Sequence, residues 1–136
     1  MVRLIAGEKG TGKTKKLIEL INSAAASEAG NVVCIEAEKA MTFDVHYHVR
    51  LIVASDYEIA SYEAMRGFIS GLYAGNYDIS HIFIDNLFKI VGGKNDREAE
   101  QFLDWLERFS GRHGVRFTVS ASVDAENVTD GMRKYL

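Results

Sequence analysis

The chain has 136 residues, 47% of them hydrophobic and 26% charged, with a formal net charge of -3; this balance suits one folded domain spanning residues 1–136 and excludes a disordered or fibrous chain. Net negative charge gives no global reason to expect nucleic-acid binding, although a local basic patch would escape such a count. The single cysteine, Cys34, excludes an intrachain disulfide framework and a multi-cysteine zinc site, and it fits a reducing compartment.

Short apolar runs alternate with longer amphipathic ones, the pattern of βα units stacked into a parallel sheet. Val2 to Ala6 is the first strand. It starts almost at Met1, and no run approaches the ~20 apolar residues of a membrane span, so a cytoplasmic protein with no membrane partner is expected. Thr14 to Ala26 carries Leu17, Leu20, Ile21, Ala24 and Ala25 at helical spacing, with Gly30 at the exit. Asn31 to Glu36 is the second strand and holds Cys34 as a buried bystander. In the following segment His46 and His48 share a face of an extended stretch, but no third metal ligand stands with them. Tyr47 to Ala54 reads as the third strand, and Ser55 with Glu58 suggests a capping box for a helix carrying Ile59, Tyr62, Ile69 and Leu72 inward. His81 to Asp85 is the fourth strand. After Gly92-Gly93, Asn95 and Glu98 cap a helix with Ala99, Phe102, Leu103 and Leu106 on its core face, which Gly111 is expected to stop. Trp105 and Phe109 lie near that stripe and read as packing. Val115 to Ser120 is the fifth strand, and Glu126 to Leu136 suggests a short closing helix.

Between the first strand and the first helix, Gly7-Glu8-Lys9-Gly10-Thr11-Gly12-Lys13-Thr14 matches G-x-x-x-x-G-K-[ST] at every fixed position. A chance match somewhere in such a chain is roughly a 1-in-200 event, and the flanking strand and helix make it rarer. Each residue type has a task. Glycines let backbone N–H groups approach a polyphosphate that side chains would block, and the helix start adds unpaired N–H groups and a positive dipole end. Lys13 is placed to reach the β- and γ-phosphates, and the Thr14 hydroxyl to ligate Mg²⁺. Lys15 belongs to the same phosphate-facing start, although with Lys16 it also fits a solvated helix face. A second carboxylate is needed for the metal, and Ile82-Phe83-Ile84-Asp85 supplies one at a strand end. Asn86 follows, where many such ATPases carry a glutamate that polarises water; an amide cannot act as a base. The expected ligands are therefore ATP and Mg²⁺.

The stretch Cys34-Ile35-Glu36-Ala37-Glu38-Lys39-Ala40-Met41 resembles the segment after the second strand of RecA-like (ASCE-type) P-loop ATPases. Leu51 to Ser55 with Asp56, and Ile84-Asp85-Asn86, resemble that family's third strand and its Walker B ending, so the likeness runs to about Ser122. The resemblance implies a three-layer α/β/α domain with a mainly parallel five-stranded sheet in the order 3-2-4-5-1. It makes Glu38 the general base, and it places Ser120 or Ser122 where a polar residue senses the γ-phosphate. The loop after Walker B is short here and further strands are lacking, which speaks against recombination activity.

The expected function is ATP binding with slow hydrolysis coupled to a conformational or assembly step, with a protein partner or a homo-oligomer. Two alternatives stand beside it: a nucleotide-responsive binding module without turnover, and a thymidine-kinase-like small-molecule kinase, for which no cysteine or arginine lid is present. Phe43 and Tyr47 are the candidate adenine-stacking residues, and Arg133 and Lys134 the candidate charges supplied to a neighbouring site. In the expected order the first strand is a sheet edge, which calls for self-association or for cover by the tail from Glu126 to Leu136.

Overall fold

A computed structural model describes residues 1–8, 10–39 and 44–136. Lys9, Ala40, Met41 and Phe43 lie outside the described residues, and with them the expectations placed on Lys9 and Phe43. The chain forms β1 (Val2–Gly7), α1 (Lys13–Ser27), β2 (Asn31–Glu36), β3 (Arg50–Val53), α2 (Tyr62–Gly75), β4 (Ile79–Asp85), α3 (Leu87–Ile90), α4 (Asp96–His113), β5 (Arg116–Ser122) and α5 (Asp130–Arg133).

The five strands make one all-parallel sheet in the order β1-β5-β4-β2-β3. Read from the β3 edge, the same sheet runs β3-β2-β4-β5-β1. Strand side chains alternate between two apolar clusters, as a period of two requires. Ile5, Val32, Cys34 and Phe83 pack with Leu17, Ile21 and Ala24 of α1. Leu4, Val33, Ile35, Ile82, Ile84, Phe117 and Val119 pack with Met65 and Ile69 of α2 and with Phe102, Leu103 and Leu106 of α4. Helices thus cover both faces, which is why the central strands read as near-continuous apolar runs.

Three boundaries differ from the sequence expectation. Residues Ala54–Tyr57 form a 3₁₀ turn and Glu58 takes φ 58°, so Ser55 and Glu58 make no capping box; the helix begins later, with the Ser61 hydroxyl accepting from Ala64 N at 3.1 Å. Ile59 is buried just before that start, so the chain turns inward before it coils. Gly111 lies inside α4, which stops at Gly114 in the left-handed region (φ 73°). The third strand is confined to Arg50–Val53, since residues 46–49 form a turn closed by Val49 N donating to the His46 carbonyl. The Asn95 cap stands as expected, its side chain accepting from Glu98 N at 3.1 Å.

At the amino ends of β4 and β5, His81 Nδ1 lies 2.8 Å from Glu28 Oε2 and Nε2 lies 2.8 Å from Thr118 Oγ1. A carboxylate only accepts, so Nδ1 carries the hydrogen. Burial lowers the imidazole pKa, against the hydrogen bond and charge of Glu28, which raise it.

Candidate functional site

Parallel register brings the carboxyl ends of the strands together: Gly7 pairs with Ser122, and Glu36 with Asp85. In an open parallel sheet that edge is where ligands bind. The loop leaving β1 at Gly7 is tight. Gly10 and Gly12 take φ 85° and 84°, with open space around each, so it is backbone conformation and not crowding that calls for glycine there. Gly7 is the opposite case, because a Cβ on it would stand 2.7 Å from Thr11 Oγ1 and 3.2 Å from Lys13 Cγ. The carbonyl of Glu8 then collects three donors: Thr11 N at 3.2 Å, Thr11 Oγ1 at 2.6 Å and Lys13 Nζ at 2.9 Å. Its own carbonyl is therefore what holds the Lys13 ammonium.

The first intrahelical bond of α1 is Lys16 N to Gly12 O, and the Gly12 N-cap supplies no side-chain acceptor. The N–H groups of Lys13, Thr14 and Lys15 thus precede the helical ladder at the positive end of a 15-residue helix. That end suits an anion.

Across from it, Asp85 closes β4. Ser120 Oγ donates to Asp85 Oδ1 at 2.8 Å and accepts from Asn86 N at 2.8 Å. Asn86 is left-handed (φ 62°, ψ 60°) and starts α3; asparagine tolerates that region better than most residues. Burial raises the Asp85 carboxyl above its ordinary pKa, with the Ser120 hydrogen bond and the charge of Lys13 acting against the rise. Burial likewise lowers the Lys13 ammonium, opposed by the charge of Asp85. The Cys34 thiol, fully buried on β2, is pushed well up by burial and by the charges of Asp85 and Glu36. It is inert as a nucleophile.

The end of the loop, the start of α1 and the Asp85–Ser120 pair line one cleft of about 400 Å³. Of the residues singled out from the sequence for a role, Gly10, Gly12, Lys13, Thr14, Glu38, Asp85, Ser120 and Ser122 line it. Gly7, Glu8 and Thr11 shape the loop behind it, and Lys15 is exposed on α1. Sequence reasoning missed Lys89, which lines the cleft and forms an ion pair with Glu38. It also gave Asn86 no place in the cleft wall. Ser120, one of two alternatives for sensing phosphate, is buried and committed to Asp85 and Asn86, whereas Ser122 is exposed.

Other expected residues stand apart. Tyr47 is 84% exposed, stacked on His46 and tilted against His48, with centroids 4.7 and 4.1 Å away. Lys134 pairs with Asp104, and Arg133 donates to the Val128 carbonyl; neither lines the cleft. Among the described residues, no group of three or more His, Cys, Asp or Glu is arranged to hold a metal ion. The Thr14 hydroxyl and Asp85 carboxylate in one cleft are nevertheless the oxygen donors that a hard cation such as Mg²⁺ takes, with its other positions left to water and phosphate. A wider cleft of about 600 Å³ between α2 and α4 is lined by Tyr73, Tyr77, Trp105, Phe109, Arg108 and Arg112, and its rings mostly pack on one another.

No helix among the described residues is long and apolar enough to cross a membrane. The α/β fold with its parallel sheet is compatible with a P-loop nucleoside triphosphatase. No protein-family model matches the chain, and no curated protein matches it.

Proposed function

We propose that this chain is a minimal, single-domain RecA-like P-loop ATPase with a three-layer fold, binding Mg-ATP at Gly7–Thr14 and hydrolysing it slowly to drive a conformational or assembly step. The observation that carries this reading is one juxtaposition: a loop of sequence G-x-x-x-x-G-K-T feeds a helix start, and it shares a cleft with a carboxylate at the end of a central strand. The N–H groups at the start of α1 and the Lys13 ammonium hold the β- and γ-phosphates. Thr14 and Asp85 hold Mg²⁺, which supplies charge neutralisation to the phosphates when bound. Ser122, which lines the cleft, is the γ-phosphate sensor in this reading.

Glu38 is the base in this reading. It accepts a proton from water as the water oxygen bonds to the γ-phosphorus, and the bond from that phosphorus to the β–γ bridging oxygen breaks, leaving ADP and inorganic phosphate. Single-turnover hydrolysis tests the assignment, run with the protein alone and at concentrations that favour its self-assembly. Glu38→Gln is expected to slow hydrolysis by ~10²–10⁴-fold while ATP still binds, and Asn86→Ala to change it only a few-fold. Measurable hydrolysis fully retained in Glu38→Gln would move the base elsewhere. A second reading, a nucleotide-responsive module without turnover, is favoured by Asn86 and by the pairing of Glu38 with Lys89. Tight binding with no hydrolysis under any of these conditions would select it.

A further inference from the structure

Two lysines line the cleft, and each is turned onto an acceptor of the protein itself. Lys13 donates to the Glu8 carbonyl at 2.9 Å. Lys89, on the short helix that follows Asp85, pairs with Glu38 Oε1. The cleft therefore also holds two carboxylates: Asp85, which feels the charge of Lys13, and Glu38 with Lys89. A triphosphate entering such a site brings several negative charges and competes with both carboxylates for the ammonium groups.

The two pairs differ in how easily they yield. The side chains of Lys89 and Glu38 are 49% and 69% exposed, and ion pairs so open to water contribute little. Asp85 is held by the buried Ser120 hydroxyl and stays in place. Lys89 has three donors on a flexible stem and can exchange one anion for another without moving the backbone.

Resting on the nucleotide reading above, the geometry points to Lys89 as a second phosphate-binding lysine that leaves Glu38 for the terminal phosphate when ATP binds. The exchange does two things. It gives the γ-phosphate a positive partner that ADP cannot engage, and it takes the Lys89 charge away from Glu38 only when a triphosphate is present. Lys89 is thus a positioning residue for Glu38 and a specificity residue for triphosphate over diphosphate.

The test is a double-mutant cycle on nucleotide affinity, with Mg-ATP and Mg-ADP titrated calorimetrically into the full chain. Lys89→Met, which keeps the apolar stem, is expected to weaken ATP roughly tenfold and ADP less than about twofold. Lys89→Arg should restore most of the ATP preference. Glu38→Gln removes the competitor and should tighten ATP about two- to fivefold, but only where Lys89 is present, so the two substitutions are non-additive. Equal weakening of ATP and ADP by Lys89→Met, or additive effects of the two substitutions, would overturn the exchange while leaving nucleotide binding intact. Absence of ATP binding by the wild type, or binding indifferent to Lys13→Ala, would instead overturn the nucleotide reading, and the exchange with it. Circular-dichroism melts of each variant verify that the fold is kept.

Discussion

An ionised carboxylate at Asp85 is costly where it stands, because it is largely withdrawn from water. Its pKa is raised in the folded chain, so the folded state binds this proton more tightly than the unfolded one. The penalty is therefore present above the raised pKa and fades as pH falls through it toward the ordinary value of 3.8. Asp85→Asn is expected to stabilise the protein at pH 7 by roughly 1 kcal/mol, tempered by partial exposure, or ~2–5 °C in melting temperature. The gain should vanish near pH 3.5 in a series of thermal melts. A variant no more stable than wild type at pH 7 would contradict this account of the carboxylate. Stability lost at a residue kept for binding is a common sign of a site. Lys13, Thr14 and Asp85 were legible in the sequence because their roles are tied to fixed spacings and a strand end. Lys89 was not, since nothing in Leu87–Ile90 announces a four-residue helix that turns its lysine toward the end of β2. Ser120 could not be separated from Ser122 because both lie on one face of β5; only the register against β4 shows that Ser120 is the buried one that reaches Asp85, while Ser122 is exposed.

At the scale of elements, strands were read best where both faces are covered, because an apolar run such as Val32–Ile35 leaves little doubt about what it does. Helix ends were read less well. The sequence points to Ser55 for the start of α2 because Ser55 with Glu58 has the capping-box spacing; the actual cap, Ser61, has alanine at the corresponding place and so carries no such signal. The deciding factor is tertiary: Ile59 must reach the core directly after β3, which forces a turn with Glu58 left-handed. Ser61→Ala is therefore expected to cost ~1 kcal/mol, and Ser55→Ala less than ~0.5 kcal/mol. Urea unfolding measures both, and a larger loss at Ser55 would contradict this cap assignment. Gly111 misled for a related reason. Glycine is tolerated inside a helix, and the stop falls at Gly114, which takes the positive φ.

For the molecule as a whole, the exposed edge anticipated at the first strand is covered by the chain's own tail. Leu4 N donates to the Tyr135 carbonyl at 2.6 Å, and Val128, Met132 and Tyr135 are buried. Tyr135 Oη donates to Asp104 and Thr129 Oγ1 to Glu100, each at 2.5 Å, tying the tail to α4. Burial and the neighbouring Asp104 push the Tyr135 hydroxyl far up, so it remains a donor at any working pH. Removing residues 130–136 should bare the β1 edge and produce self-association in light scattering together with a lower melting temperature. A monodisperse, equally stable truncated chain would show that the tail is not the cover. The tail lies along the β1 edge, while the loop, Asp85 and Glu38 gather at the carboxyl ends of the strands, where the nucleotide reading is concentrated. That reading is tested most directly by calorimetric titration of Mg-ATP into the wild type and into Lys13→Ala. The account predicts saturable one-site binding by the wild type and affinity weakened at least ~10-fold in the variant, with both proteins folded alike; no binding, or the same affinity in both, would contradict it.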